Sequence, residues 1–496
     1  IKISRLICSI CCRFTHYYIY RINTIYNRIS PIRALDYHQP FIGLLHKPWN
    51  QPSHSIGFPA KSVTMDRIKK QHFTPLMSFS LVLTVGIITA KYSYDYLSMR
   101  QWLTFSILPW SFAACCYMMT QLIRRHNPSS RTTDKLIHYQ CLNLYLCIFC
   151  LGGCITAHHI NQLNAPVQIK AYQSLSSFER TILKAQDFRL QAEQRLHTLH
   201  IGEQDFAVIA AMAMGDKSAL SQETKEAYSI SGTSHILAVS GLHIGIIFQL
   251  IILLLGGKRR SKLTIILSTT IVWAYVIFIG FPASAVRAAT MLSIYSMVLL
   301  SLRPDPTLNT LALAYIIMVL VNPFNIFDIG FQMSFLAVGS ILLFYPLFFC
   351  LLSSHSNIIR AIWGLFCVSL AAQIGTLPLI VFYFGRISCY SLITSFIAIP
   401  AATLILYLCV LLFILSPLTY ISFLASPTEG LMQLVMNVLT SITQFINTAF
   451  HLTSMLPGAS IEHVHLSLLQ LAILYIAILA GYFAFVKWYR LKEKMV

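Results

Sequence analysis

The stretch Ser231-Gly-Thr-Ser-His-Ile-Leu-Ala-Val-Ser-Gly-Leu-His-Ile-Gly-Ile-Ile247 leads from a polar segment into an apolar run that continues to about Leu255. His235, Ser240 and His243 stand where an ordinary membrane helix carries Leu or Val. An ionisable side chain at membrane depth is costly, so it points to a pathway, a partner or water. Small and polar residues in a bundle also serve as packing and hydrogen-bonding glue, and for each of the three the two readings stand level. Gly241 and Gly245 form a G-x-x-x-G pair, which predicts close approach by another helix. Ser240-Gly241 is a candidate break in the helix.

Outward from this stretch, composition fixes the class. The 496 residues are 56% hydrophobic and 11% charged, against roughly 25% charged in soluble domains. So few charges cannot solvate the surface of a large soluble enzyme, which excludes that class. Apolar runs of about 20 residues recur, each long enough to cross a bilayer. The expected fold is all-α, a polytopic transmembrane helical bundle with about 11–12 spans. The net charge of +19 sets orientation through the loops and suits anionic lipid or a polyanionic substrate.

Catalytic and cofactor signatures are lacking. There is no P-loop, dinucleotide fingerprint, H-E-x-x-H or G-x-S-x-G string, so neither a cofactor nor an enzymatic activity is expected. Most of the thirteen cysteines lie in apolar runs, where cysteine behaves as a small hydrophobe. Cys8, Cys11 and Cys12 have no second ligand pair at zinc-finger spacing, so no metal site is expected. On a continuous helix His235 and His243 would sit about 80° apart, which makes them poor co-ligands.

Four regions follow. Residues 1–64 show no sustained period and read as an unstructured or non-native extension, with Met65 the expected start. Residues 65–160 form a three-span region, with runs near 73–91, 101–123 and 137–157. Residues 161–230 form a polar, amphipathic helical connector on the outside. Within it, Ser177 to His200 lies either on the bilayer or on other protein, and Phe206 to Met214 is too short to span. Residues 231–496 carry the remaining runs. The basic loops Arg124–Arg131 and Lys258–Lys262 read as cytoplasmic, so the run at His235 enters from the outside. The segment 429–455 is less apolar, with Gln433, Asn437, Gln444 and Asn447, and either spans or lies at the interface. A cytoplasmic basic C-terminus requires it to span.

Three further constellations sit at span edges. Ser284 and Arg287 share a helix face at i, i+3, where Arg287 either contacts an anion or snorkels. Asp328 and Gln332 stand at i, i+4, with helix capping the simplest role for Asp328. Gln373-Ile-Gly-Thr-Leu-Pro378 predicts a mid-span kink.

Together, Gly215-Asp216-Lys217, Ser234-His-Ile-Leu-Ala-Val-Ser-Gly-Leu-His243, Pro282-Ala-Ser-Ala-Val-Arg-Ala-Ala-Thr-Met291 and Asp328-Ile-Gly-Phe-Gln-Met-Ser-Phe335 resemble the ComEC family of competence proteins in type, order and spacing. The resemblance covers about Phe206 to Pro400. It implies a multi-pass channel in the bacterial cytoplasmic (inner) membrane that admits single-stranded DNA during natural transformation. It marks His235, Ser240, Gly241, His243, Ser284, Arg287, Asp328 and Gln332 as pore or gate candidates. Gly215, Asp216, Gly245, Pro282, Gly330, Pro378 and Pro400 are then the motif positions with structural roles. Implied partners are single-stranded DNA, membrane lipid, a DNA receptor protein, a separate nuclease and a cytoplasmic translocation ATPase. Many family members carry an OB-fold after the third span, and the interval 158–205 is too short for one. Many also end in a metallo-β-lactamase-like domain, and no H-x-H-x-D-H string occurs here, so the expectation is a channel without its own nuclease. Ser395 stands where Asn is expected. The alternatives are an ion-coupled small-solute transporter using the histidines and Asp328 as a relay, and a membrane scaffold for other competence proteins.

Overall fold

In the computed structural model the residues described are 75–94, 96–126, 131–163, 177–197, 202–256, 262–300, 308–352, 354, 356–416, 419 and 422–495. The extension 1–64, Met65 and the loop at 257–261 lie outside them. The apolar runs form helices, because a backbone in lipid must satisfy its hydrogen bonds within its own segment. In chain order these are α1 (Pro75–Tyr92), α2 (Met99–His126), α3 (Arg131–Leu163), α4 (Ser177–His197), α5 (Glu203–Met214) and α6 (Gln222–Ile230). A 3-10 turn (Ser234–Ile236) precedes α7 (Gly241–Leu254), α8 (Lys262–Phe278), α9 (Ala283–Leu300) and α10 (Leu308–Val321). A second 3-10 turn (Pro323–Phe327) leads to α11 (Ile329–Phe349), α12 (Asn357–Phe384), α13 (Ser391–Leu415), α14 (Ser422–Ser454) and α15 (Leu468–Met495). The strands β1 (Ile387–Ser388) and β2 (Ser460–Ile461) pair antiparallel, Ile387 opposite Ile461.

Among the described residues, seven helices are long and apolar enough to cross a membrane, and α1, α7, α8 and α10 are shorter apolar helices. The chain is an all-α polytopic bundle, as its composition predicts. The run expected from His235 starts later as a helix, at Gly241. Ser240 takes an extended conformation there (φ −115, ψ 174), and that breaks the helix.

Contacts at chain reversals show which helix ends lie together. Tyr390, just before α13, donates its hydroxyl to the carbonyl of Pro457, just after α14 (3.4 Å). The β1–β2 pair ties the same two places. So α14 runs antiparallel to α13 and returns over its length. The backbone N–H of Val464, ahead of α15, bonds to the carbonyl of Gly385 after α12 (3.0 Å). Lys91 at the end of α1 lies 3.6 Å over the Phe327 ring. One end of the bundle therefore gathers the polar connections, and the basic-loop pattern assigns that end to the outside.

The connector helix α5 is not a surface element. Every residue from Phe206 to Met214 is buried, in a cluster with Ala402, Ile405 and Cys409 of α13 and Leu439, Ile446 and Phe450 of α14. α4 lies against the end of α8, with Phe188 edge-on to Phe278 at 6.0 Å. That decides for protein as its packing partner.

Candidate functional site at the polar end of the bundle

The site begins where α5 stops. Gly215 closes that helix in the left-handed region (φ 78) and returns its N–H to the Ala210 carbonyl, the role for which glycine is suited. Asp216 follows, and its Oδ1 accepts the N–H of Ser218 at 2.8 Å. From α4, Arg189 donates to the Met214 carbonyl at 3.2 Å. Glu193 on the same helix meets Asp216. Burial, then the charge and hydrogen bond of Asp216, push the Glu193 carboxyl above its ordinary value. Burial also opposes charge on Asp216, but hydrogen bonds from Ser218 and Glu193 and the Arg189 charge outweigh it and lower its pKa. The two carboxyls thus share a proton, held by Glu193. Sequence reading singled out Asp216 and missed Arg189 and Glu193, which sit on a separate helix with no motif around them.

The approach to α7 is stapled to α13. Gly232 (φ 78) has no room for a side chain, since a Cβ would lie 2.5 Å from the Ser391 Cβ. Thr394 donates to the Ser231 carbonyl at 2.8 Å, and Ser388 to the Ser229 carbonyl at 3.1 Å. Arg386 bonds Ser229 at 3.0 Å and pairs with Glu462 at 2.6 Å. His235 follows in the 3-10 turn. It is accessible to water although protein surrounds it, so it faces a crevice.

At the break, Ser240 is the N-cap of α7 and His243 is its third residue. The Ser240 hydroxyl lies 2.9 Å from His243 Nδ1, and the Ser240 N–H points to the same nitrogen at 3.4 Å. His243 therefore fills the place of Glu or Gln in a capping box. A backbone N–H only donates, so Nδ1 accepts, and in the neutral ring the hydrogen sits on Nε2. His243 is fully buried and its Nε2 has no partner. Because the helix begins at Gly241, His235 and His243 do not share a continuous helix, and the angular reading of that pair falls away. The G-x-x-x-G expectation is corrected too. Gly241 and Gly245 are exposed, and nothing lies within 4 Å of a Cβ at Gly245. They leave an open face rather than a helix seam.

The remaining candidates form one connected line. Ser284, two residues after Pro282 at the start of α9, donates to the Val239 carbonyl at 2.6 Å. That carbonyl immediately precedes the break. One turn on, Arg287 pairs with Asp328 at 3.4 Å, their side chains 14% and 52% exposed. Arg287 does not snorkel to the surface. It lies over Gly330, where a Cβ would come 2.7 Å from its Nη2. Asp328 caps α11, accepting the Phe331 N–H at 2.5 Å. Gln332 donates to the Ile326 carbonyl at 2.8 Å and accepts from the Tyr383 hydroxyl at 3.1 Å. Tyr383 belongs to α12 and lay outside every motif. Pro378 and Pro400 lie inside α12 and α13, away from this line. Near Pro378, the Gly375 carbonyl accepts from Tyr475 at 2.9 Å. Ser395 bonds the Ser391 carbonyl of its own helix at 2.6 Å.

This arrangement offers polar groups of both signs around an open glycine face, with a fixed guanidinium beside it. The sequence profile described as "Competence protein" matches residues 212–488. ComE operon protein 3 of Bacillus subtilis is 32% identical over 203 residues, covering 40% of this chain and 24% of that protein. Uncharacterized protein YcaI of Escherichia coli is 26% identical over 211 residues, 40% of this chain and 28% of that one. Recombination protein 2 of Haemophilus influenzae is 23% identical over 212 residues, 40% and 27%. The matched stretch thus spans about a quarter of these relatives' length. No solved structure shows significant similarity to the chain.

Proposed function

This chain belongs to the ComEC family of competence proteins, and on that premise we propose that it forms a route for single-stranded DNA through the bacterial inner membrane during transformation. The observation that carries the reading is the open face of α7. Gly241 and Gly245 stand exposed, with free space at Gly245, beside the water-accessible His235 and below the Ser284–Arg287–Asp328–Gln332 line. A strand is a polyanion, and its passage needs a wet route with fixed positive charge. Arg287 supplies that charge at the entrance and Asp328 sets its position. The buried His243 holds the N-terminus of α7 through Ser240 and shapes the route without lining it. DNA receptor, nuclease and translocation ATPase would act as separate partners on either side.

The test is Gly245→Leu. The position has an ordinary helical conformation and room for a side chain, so the protein folds and inserts. Uptake of labelled DNA into the cytoplasm falls sharply if this face lines the route. Normal uptake by a normally expressed variant overturns the reading.

A further inference from the structure

The 33-residue helix α14 carries three separate stripes. Val435, Met436, Leu439, Thr443, Ile446 and Phe450 are buried against the bundle. Leu431, Leu434, Val438, Phe445 and Leu452 are exposed and apolar, as a lipid-facing surface should be. The third stripe is exposed and polar: Gln433, Asn437, Ser441, Gln444 and Thr448. At about 100° per residue these five fall within an arc of about 80°. Gly430 extends the stripe, with nothing within 4 Å of its missing side chain. Among the described residues, the amides of Gln433, Asn437 and Gln444 find no partner within the chain. Because α14 returns antiparallel along α13, these amides lie at the depth of a membrane-crossing helix. Lipid offers them no hydrogen bonds. Something polar covers this face.

Charge and spacing identify the cover. Between Ser422 and Ser454 there is no Lys or Arg, and Glu429 lies near one end. A polyanion gains nothing there. An amide is both donor and acceptor, so a row of amides is complementary to itself. Gly430, Gln433, Asn437, Thr440 and Gln444 recur at steps of three and four, the spacing with which two parallel helices meet. Two copies in one membrane run parallel and share a two-fold axis along its normal. Each amide then faces its own counterpart.

We propose that the polar stripe of α14 is the face on which a second copy of this chain docks. The inference rests on α14 crossing the membrane and is independent of what the protein transports. The test is cysteine cross-linking of the full chain in native membranes. No native cysteine lies on α14. Asn437→Cys and Gln444→Cys form a covalent dimer on oxidation, with yields about tenfold above Leu434→Cys and Phe445→Cys on the apolar face. Equal yields on both faces, or none on the stripe, overturn the proposal. A second measurement uses two differently tagged copies. The triple variant Gln433→Leu/Asn437→Leu/Gln444→Leu inserts as well as the parent, because leucine suits lipid, and its co-purification is lost. Retained co-purification overturns docking, and if DNA uptake is lost at the same time the stripe instead lines the conduit. Failure of the DNA reading leaves both association readouts unchanged, so the two outcomes are separable.

Discussion

Replacing Asp328 by Asn and by Ala separates its two jobs. Its Oδ1 accepts the Phe331 N–H at 2.5 Å and faces Arg287 Nη1 at 3.4 Å. Asn keeps the cap and loses the charge, whereas Ala loses both. The cap contributes about 1 kcal/mol. At 3.4 Å the gross Coulomb attraction is about 5 kcal/mol at an effective dielectric of about 20. The Asp328 side chain is 52% exposed, so water screens most of this and about 1 kcal/mol survives. Arg287 is only 14% exposed, so losing its counter-charge adds up to about 1 kcal/mol more. The expected cost is about 1–2 kcal/mol for Asn and about 2–3 kcal/mol for Ala. Hydrogen exchange reads the difference directly. The Phe331 amide stays protected in Asp328→Asn and exchanges about fivefold faster in Asp328→Ala. Uptake of labelled DNA falls about tenfold in both, since about 1.4 kcal/mol of lost positioning is one decade. Equal protection at Phe331 in the two variants refutes the capping assignment. Undiminished uptake in Asp328→Asn refutes a role for the ion pair.

Gly330→Ala should reproduce an Arg287 defect, because the new methyl would sit 2.7 Å from Arg287 Nη2 and displaces the guanidinium. DNA uptake at normal expression checks this. Gly232→Ala combines a left-handed φ of 78 with a Cβ 2.5 Å from Ser391, and should cost about 2–4 kcal/mol. Loss of thermal stability in detergent reads it out. The Glu193–Asp216 pair makes the junction of α4 and α5 pH-sensitive. Glu193 is raised from 4.5, so its stabilising share is full below that value and is lost as pH rises through the folded value. Asp216 is lowered from 3.8, so its share is present above that value and is lost as pH falls through the folded one. Glu193→Gln keeps a hydrogen bond to Asp216 at neutral pH. Exchange at 210–218 should then be slower than in the parent at pH 7 and no faster at pH 5.

The order of helices was legible because lipid imposes one rule on every crossing segment: apolar outside, hydrogen bonds inside. Each apolar run became a helix, with ends within a few residues of those expected. The start of α7 moved because Ser240 and His243 satisfy each other and break the helix, a local exchange that hydropathy does not register. Ser284, Arg287, Asp328 and Gln332 were legible as polar residues at span edges. Their joining into one line was not, since Arg287 and Asp328 are 41 residues apart. Tyr383, Arg386, Arg189 and Glu193 escaped because nothing around them in the chain differs from ordinary helix. Segment 429–455 was ambiguous because average hydropathy blends three faces that the fold points in three directions.

By itself the sequence determined that this is a helical membrane protein of competence type, because composition and local motif chemistry act on each segment separately. Only the tertiary structure decided that the glycines of α7 face open space, that Arg287 is held by Asp328 over Gly330, and that α14 shows an unpaired polar face. Those facts depend on which helix lies beside which, and packing between distant segments settles that.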